Sequence, residues 1–242
     1  RRHPERQAVC RDGPERRHHA RGVACRPGTV GEAEGERFPI RVVSLGELNL
    51  ASGRLHVLDP FVGPWDGQPL ALDIPPGRYP VDLAIADTGG GGVRTALARI
   101  RFSKTPAVSW SMARTASQDP RSLEAGETFG YPVDAGTGAF ADGGALAALN
   151  RLALAGPDET ERMTERWISQ GEAAAEALGL PHGFALTVSE GGGDMVMFSS
   201  GWGDGFYASW VGADSTGRPV AVVTDFAVIE AVRLPTGVRA GE

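Results

Sequence analysis

From residue 38 onward the chain alternates short apolar stretches with Gly, Pro and Asp; from 1 to 37 it shows neither a 2-residue nor a 3.6-residue apolar period. Residues 40–45 and 54–58 read as strands, the second closed by the turn Asp59-Pro60. After Pro75-Pro76-Gly77-Arg78-Tyr79-Pro80, Val81, Leu83 and Ile85 alternate with Asp82, Ala84 and Ala86, predicting a strand with one buried face. The glycines at 89–92 then lead into a second alternating strand over 96–102, so the pair reads as a β-hairpin.

The period changes in the middle of the chain. Leu146, Leu149 and Ala153 fall at helical spacing behind Asp142, a good N-cap, and Gly156-Pro157 stops the segment. Pro157 suits the first position of a second helix, with Asp158, Glu159 and Glu161 in its opening turns and a stripe of Met163, Trp167, Ile168, Ala174 and Leu178. Gly179 and Pro181 end it. Strands return at 184–188, 195–199, 206–211 and 220–229, with a hairpin turn over 214–217. The expected fold is α+β: a mostly antiparallel sheet domain over 38–242 with two helices packed on one face. Residues 1–37 are expected to be a disordered or spurious extension.

Composition supports a core, with 41% apolar residues in 242. The net charge of −6 is unevenly spread: residues 1–37 hold nine arginines against six acids, leaving −9 on the remainder. An acidic domain is a poor partner for nucleic acid. No apolar run is long enough for a membrane span and no secretory signal is evident, so no membrane partner and a cytoplasmic location are expected. Cys10 and Cys25 both fall in the expected extension, which leaves the domain without a thiol for a disulfide, a nucleophile or a Cys-type zinc site. A single lysine, Lys104, amid abundant Arg, Ala and Gly fits a GC-rich bacterial genome.

The densest chemistry lies in Ser199-Ser200-Gly201-Trp202-Gly203-Asp204-Gly205-Phe206-Tyr207. It joins two expected strands, so its plain reading is a hairpin whose glycines supply positive φ. Its functional reading is a corner where Trp202, Asp204 and Tyr207 meet a ligand, with Asp225 near the end of the paired strand. Asp134, Asp142, Asp204 and Asp225 all sit in glycine-rich settings, and hard cations take oxygen ligands from loops. If these loops converge, magnesium, manganese or calcium fits; the shortage of histidine argues against zinc. Otherwise no cofactor is expected. Asp87-Thr88-Gly89 and Asp134-Ala135-Gly136-Thr137 resemble the paired aspartates of aspartic peptidases, but the first sits on a glycine-rich tip where a carboxylate is solvated. Ser200 and His182 with an aspartate would make a triad, and no nucleophile elbow, Walker loop, dinucleotide fingerprint or His-Glu-x-x-His helix occurs.

Asp59-Pro60, Pro76-Gly77-Arg78-Tyr79-Pro80-Val81, Val133-Asp134-Ala135-Gly136-Thr137-Gly138, Ser200-Gly201-Trp202-Gly203-Asp204-Gly205 and Asp225-Phe226 occur in order. Together they resemble the bacterial "domain of unknown function 4241" family, over roughly residues 40 to 232. The resemblance implies a β-rich bacterial domain and assigns no activity, cofactor or catalytic residue. Two functions are therefore expected from the residues themselves. One is a binding or interaction module for a protein or small molecule, using Trp202, Asp204, Tyr207, Asp225 and Tyr79; the other is a metal-assisted hydrolase built on the four aspartates.

Overall fold

The structure is a computed structural model that describes Cys25, residues 29–62 and residues 66–233. Thirteen strands are found there: β1 (Val30–Ala33), β2 (Glu36–Leu50), β3 (Leu55–Leu58), β4 (Gly77–Asp87), β5 (Val93–Arg101), β6 (Ser109–Met112), β7 (Tyr131–Val133), β8 (Thr137–Asp142), β9 (Ala185–Glu190), β10 (Gly193–Ser199), β11 (Gly205–Ala213), β12 (Pro219–Asp225) and β13 (Ala231–Arg233). Two helices, α1 (Gly143–Ala153) and α2 (Pro157–Ala177), lie between β8 and β9. The α+β reading holds, with antiparallel pairing throughout and both helices on one face.

The strands form two sheets. The large one runs β13-β1-β2-β4-β5-β12-β11-β6, with β7 also pairing along β11, and the small one runs β3-β8-β10-β9. Side-chain alternation along the small sheet explains its place between two layers. Phe140 of β8 and Val196 and Phe198 of β10 join the core shared with the large sheet; Ala139, Ala141, Met195 and Met197 join Leu146, Leu149, Met163 and Trp167 under the helices. The alanines let the helices approach closely. Both faces are thus buried, so β8 and β10 read as nearly continuous apolar runs.

Several local expectations change. Pairing begins at Val30, ahead of the expected start at Phe38, and Cys25 packs into the main core with its carbonyl accepting a bond from Arg99 Nη2. A thiol therefore does belong to the folded part; burial pushes its pKa up, which keeps it protonated and poorly nucleophilic. Residues 1–24 and 26–28 of the expected extension lie outside the described residues. The 81–86 strand is buried on both faces: Ala84 and Ala86 also join the main core, and Arg99 and Arg101 cover Asp82 with ion pairs at 2.9 and 3.0 Å. On α2 the buried stripe is Met163, Trp167, Gly171 and Ala175, at a steady spacing of four, and Ile168 is largely exposed. At the C-terminus of α2, Arg41 Nη1 and Nη2 donate to Leu178 O and Gly179 O at 3.1 and 2.7 Å.

Candidate functional site

The glycine-rich stretch is not a hairpin. β10 lies in the small sheet and β11 in the large one, so residues 200–204 carry the chain from one sheet to the other. Two glycines make this crossing possible for different reasons. Gly203 takes φ 92°, in the region L side chains avoid, and a Cβ on Gly201 would stand 2.6 Å from Val228 and 2.7 Å from Phe226.

A neighbouring turn clamps the crossing at both ends. Ser200 N donates to Gly136 O at 2.9 Å, and Gly136 N donates to Asp204 Oδ1 at 3.2 Å. Inside the loop, Ser200 Oγ and the Tyr207 hydroxyl both donate to Gly203 O, at 2.7 and 2.9 Å. The turn is itself held from beneath: buried Asp59 accepts the N–H groups of Asp134 and Ala135 on Oδ2 and that of Phe61 on Oδ1. A run of hydrogen bonds thus leads from Asp59 through 134–136 to the loop. Each carboxylate bond here is charge-assisted and stronger than a neutral one.

What the loop presents outward is Trp202, 55% exposed. Arg94 of β5 lies over its ring with the guanidinium carbon 5.4 Å from the centroid. Trp202 also rises between two depressions. One, of about 240 Å³, is walled by Arg94, Thr95, Gly136, His182 and residues 199–203; the other is lined by Glu34, Glu36, Phe38, Thr88 and Glu230. Thr88 leads into the 3-10 turn Gly89–Gly91 at the tip of the β4–β5 hairpin, which flanks Trp202.

Of the residues singled out from sequence, the structure gathers some and separates others. Tyr207 is buried, its ring edge-on to Phe226 at 4.9 Å, so it supports the corner from inside and does not face a ligand. Burial pushes the pKa of its hydroxyl up, which keeps that proton on the bond to Gly203. Asp225 closes the end of β12, with Oδ1 accepting Ala227 N at 3.0 Å. Tyr79 packs on Phe102 and donates to Pro75 O; it lies six residues along β4 from Ile85, on the order of 20 Å from the corner.

The four aspartates go to different tasks. Asp142 is wholly buried and caps α1 through Gly144 N while also accepting Ser52 N and Ser52 Oγ; Asp134 is exposed and Asp204 bonds the 136 turn. Among the described residues no group of three or more His, Cys, Asp or Glu converges as a metal site would require. His182 and Ser200 do line the same depression, but the Ser200 hydroxyl is committed to Gly203 O.

Sequence reasoning passed over Arg94 and Asp194 and took Asp59 only as part of a turn. Arg94 sits in an unremarkable alternating strand. Asp194 of β10 is buried and accepts Asn49 N and Ser189 Oγ at 2.8 and 2.6 Å, tying β2 of the large sheet to β9 and β10 of the small one. An aspartate beside a turn-forming residue was a legible hint of backbone capping: Asp194 follows a run of three glycines and Asp59 precedes Pro60.

The architecture is that of a two-sheet α+β domain in which the β10–β11 loop crosses between sheets at the rim of a depression of about 240 Å³. By sequence the chain belongs to the family described as protein of unknown function (DUF4241), whose model matches residues 48–224. The match takes in Arg94, the 134–136 turn, His182 and the whole crossing loop, and stops one residue before Asp225. Comparison with curated proteins and with solved structures found no match. Among the described residues no helix is long and apolar enough to cross a membrane.

Proposed function

We propose that the protein is a binding module that takes a small molecule at the Trp202 corner. The observation that carries this is the contrast between a large exposed aromatic and its mounting: Trp202 is more than half exposed, while the loop beneath it is pinned by four hydrogen bonds. Holding an indole in water on a rigid support gains little for folding. It does pre-organise apolar contact area with little entropy left to lose on binding. The depression beside it has the size of a fragment-like ligand and a few polar groups on its walls.

The test is a ligand-observed NMR screen of a chemically mixed fragment set against the wild type and Trp202→Ala. Since the ring is mostly exposed, the variant keeps its fold, which its melting temperature confirms. Fragments that bind the wild type and lose binding to Trp202→Ala support the corner. A set of hits unchanged by the substitution would place the binding surface elsewhere.

A further inference from the structure

The Arg94 guanidinium is short of partners. Three of the described arginines are half-buried, Arg94, Arg99 and Arg101, and the last two share the Asp82 carboxylate. Among the described residues Arg94 has no such ion pair. Its Nη1 makes one long bond of 3.4 Å to the carbonyl of adjacent Val93, and its buried Nε has no acceptor there. A guanidinium carries five N–H donors and holds its charge at any pH a protein survives, so most of Arg94's donor capacity goes unused. The cation–π contact with Trp202 does not satisfy those donors.

The walls around it add donors and withhold acceptors of negative charge. Ser199 Oγ accepts the Phe184 N–H at 2.7 Å and keeps its own proton to give. His182 stands at the rim, held at φ 57°. Although the chain carries a net charge of −6, no Asp or Glu among the described residues lines this depression. Across Trp202 the pattern inverts: Glu34, Glu36 and Glu230 line the neighbouring depression, which holds no basic residue among the described residues. The indole therefore separates a cationic hollow from an anionic one. Such an arrangement selects ligands by sign of charge.

From this we propose that the hollow between Arg94 and His182 recognises an oxyanion, a carboxylate or a phosphate, carried on a small apolar body that rests against Trp202. This rests on the binding-module reading and names its ligand class. The planar fork of Arg94 meets either group with two parallel N–H···O bonds, and Trp202 supplies the apolar contact. Arg94 then acts as the charge-selecting residue and Trp202 as the platform.

Benzoate, phenyl phosphate and neutral benzamide are the probes, followed through the Trp202 indole N–H resonance of the 15N-labelled full chain, assigned with Trp202→Phe. Benzoate or phenyl phosphate is expected to bind about tenfold or more tightly than benzamide, and Arg94→Gln to lower that anion's affinity by about tenfold while leaving benzamide unchanged. Arg94→Lys, which keeps the charge and loses the fork, is expected to fall between. Whichever anion binds the tighter distinguishes carboxylate from phosphate. Equal binding of benzamide and the anions, or anion binding untouched in Arg94→Gln, overturns the oxyanion assignment and leaves the binding module standing. If none of the three probes moves the Trp202 resonance while other fragments do, the oxyanion assignment fails alone; if no fragment of any charge moves it, both fail.

Discussion

Asp142 is the position where a structural account and a metal-ligand account predict different measurements. Its carboxylate is wholly buried and accepts three hydrogen bonds, from Gly144 N at 2.8 Å and from the backbone and hydroxyl of Ser52. Removing it with Asp142→Ala takes away the α1 cap, about 1 kcal/mol. The two Ser52 donors lose their acceptor as well, at about 1–3 kcal/mol for each donor left buried. The expected loss is on the order of 3–7 kcal/mol, or about 6–28 °C in melting temperature for a chain of this size. Asp142→Asn keeps the volume but turns an amide donor toward one of the three N–H or O–H groups, so it too destabilises. The assay is thermal unfolding followed by circular dichroism, in EDTA and with magnesium, manganese or calcium added. Hydrogen bonding predicts the same loss in every condition. A variant that melts within about 2 °C of the wild type, well below that range, refutes the reasoning, and so does a loss that appears only when a cation is present.

Other consequences can be measured on the same protein. Gly171→Ala would ordinarily stabilise a helix interior by about 1 kcal/mol. Here the new Cβ would stand 2.2 Å from the Phe184 ring, so a net loss of about 1–3 kcal/mol is expected by chemical denaturation, with Gly171→Ala/Phe184→Leu recovering part of it. Arg41→Met removes the cation from the C-terminus of α2 and is expected to cost about 0.5–1 kcal/mol, seen as faster hydrogen exchange in the last turn. Burial, with Arg54 beside it, holds the His56 pKa below its ordinary 6.5. The unfolded chain then binds more protons in the window between the two values, so stability rises with pH there and is lost as pH falls through the folded pKa; His56→Gln should flatten that slope in melting curves. Asp59→Asn turns an amide donor toward one of the three N–H groups that its carboxylate accepts, so it should lower the melting temperature as Asp142→Asn does and also broaden the Trp202 indole resonance by loosening the 134–136 turn.

Local chemistry was the readable part of this fold. The 3.6-residue period located both helices, Asp142 was legible as a cap, and Gly179 marked the end of α2 because it alone tolerates φ 68° there. Pairing partners were not readable, since two apolar strands joined by Gly-Trp-Gly-Asp-Gly look alike whether they pair with each other or enter different sheets. Thus β10 and β11 were expected as one hairpin and instead separate. The same limit hid the site. Trp202 and Asp204 stood out by composition, whereas Arg94 is 108 positions earlier in the chain and comes beside Trp202 only because β5 lies in the large sheet at that corner. Tyr207 illustrates the converse: its residue type suggested a surface contact, and the period-two register of β11 turned it inward.

The crossing between sheets also bears on what can be moved to another protein. Because the loop leaves one sheet and enters another, its walls come from segments far apart in the chain: Arg94 and Thr95 from β5, His182 from the turn after α2, Gly136 from the turn before β8. A peptide spanning β10, the loop and β11 would carry the Trp202 motif and none of those walls. The corner is therefore not a transplantable element but a property of the docked sheets. Anything that binds it is thermodynamically linked to their docking, and its occupancy becomes a gauge of how completely the whole chain has folded.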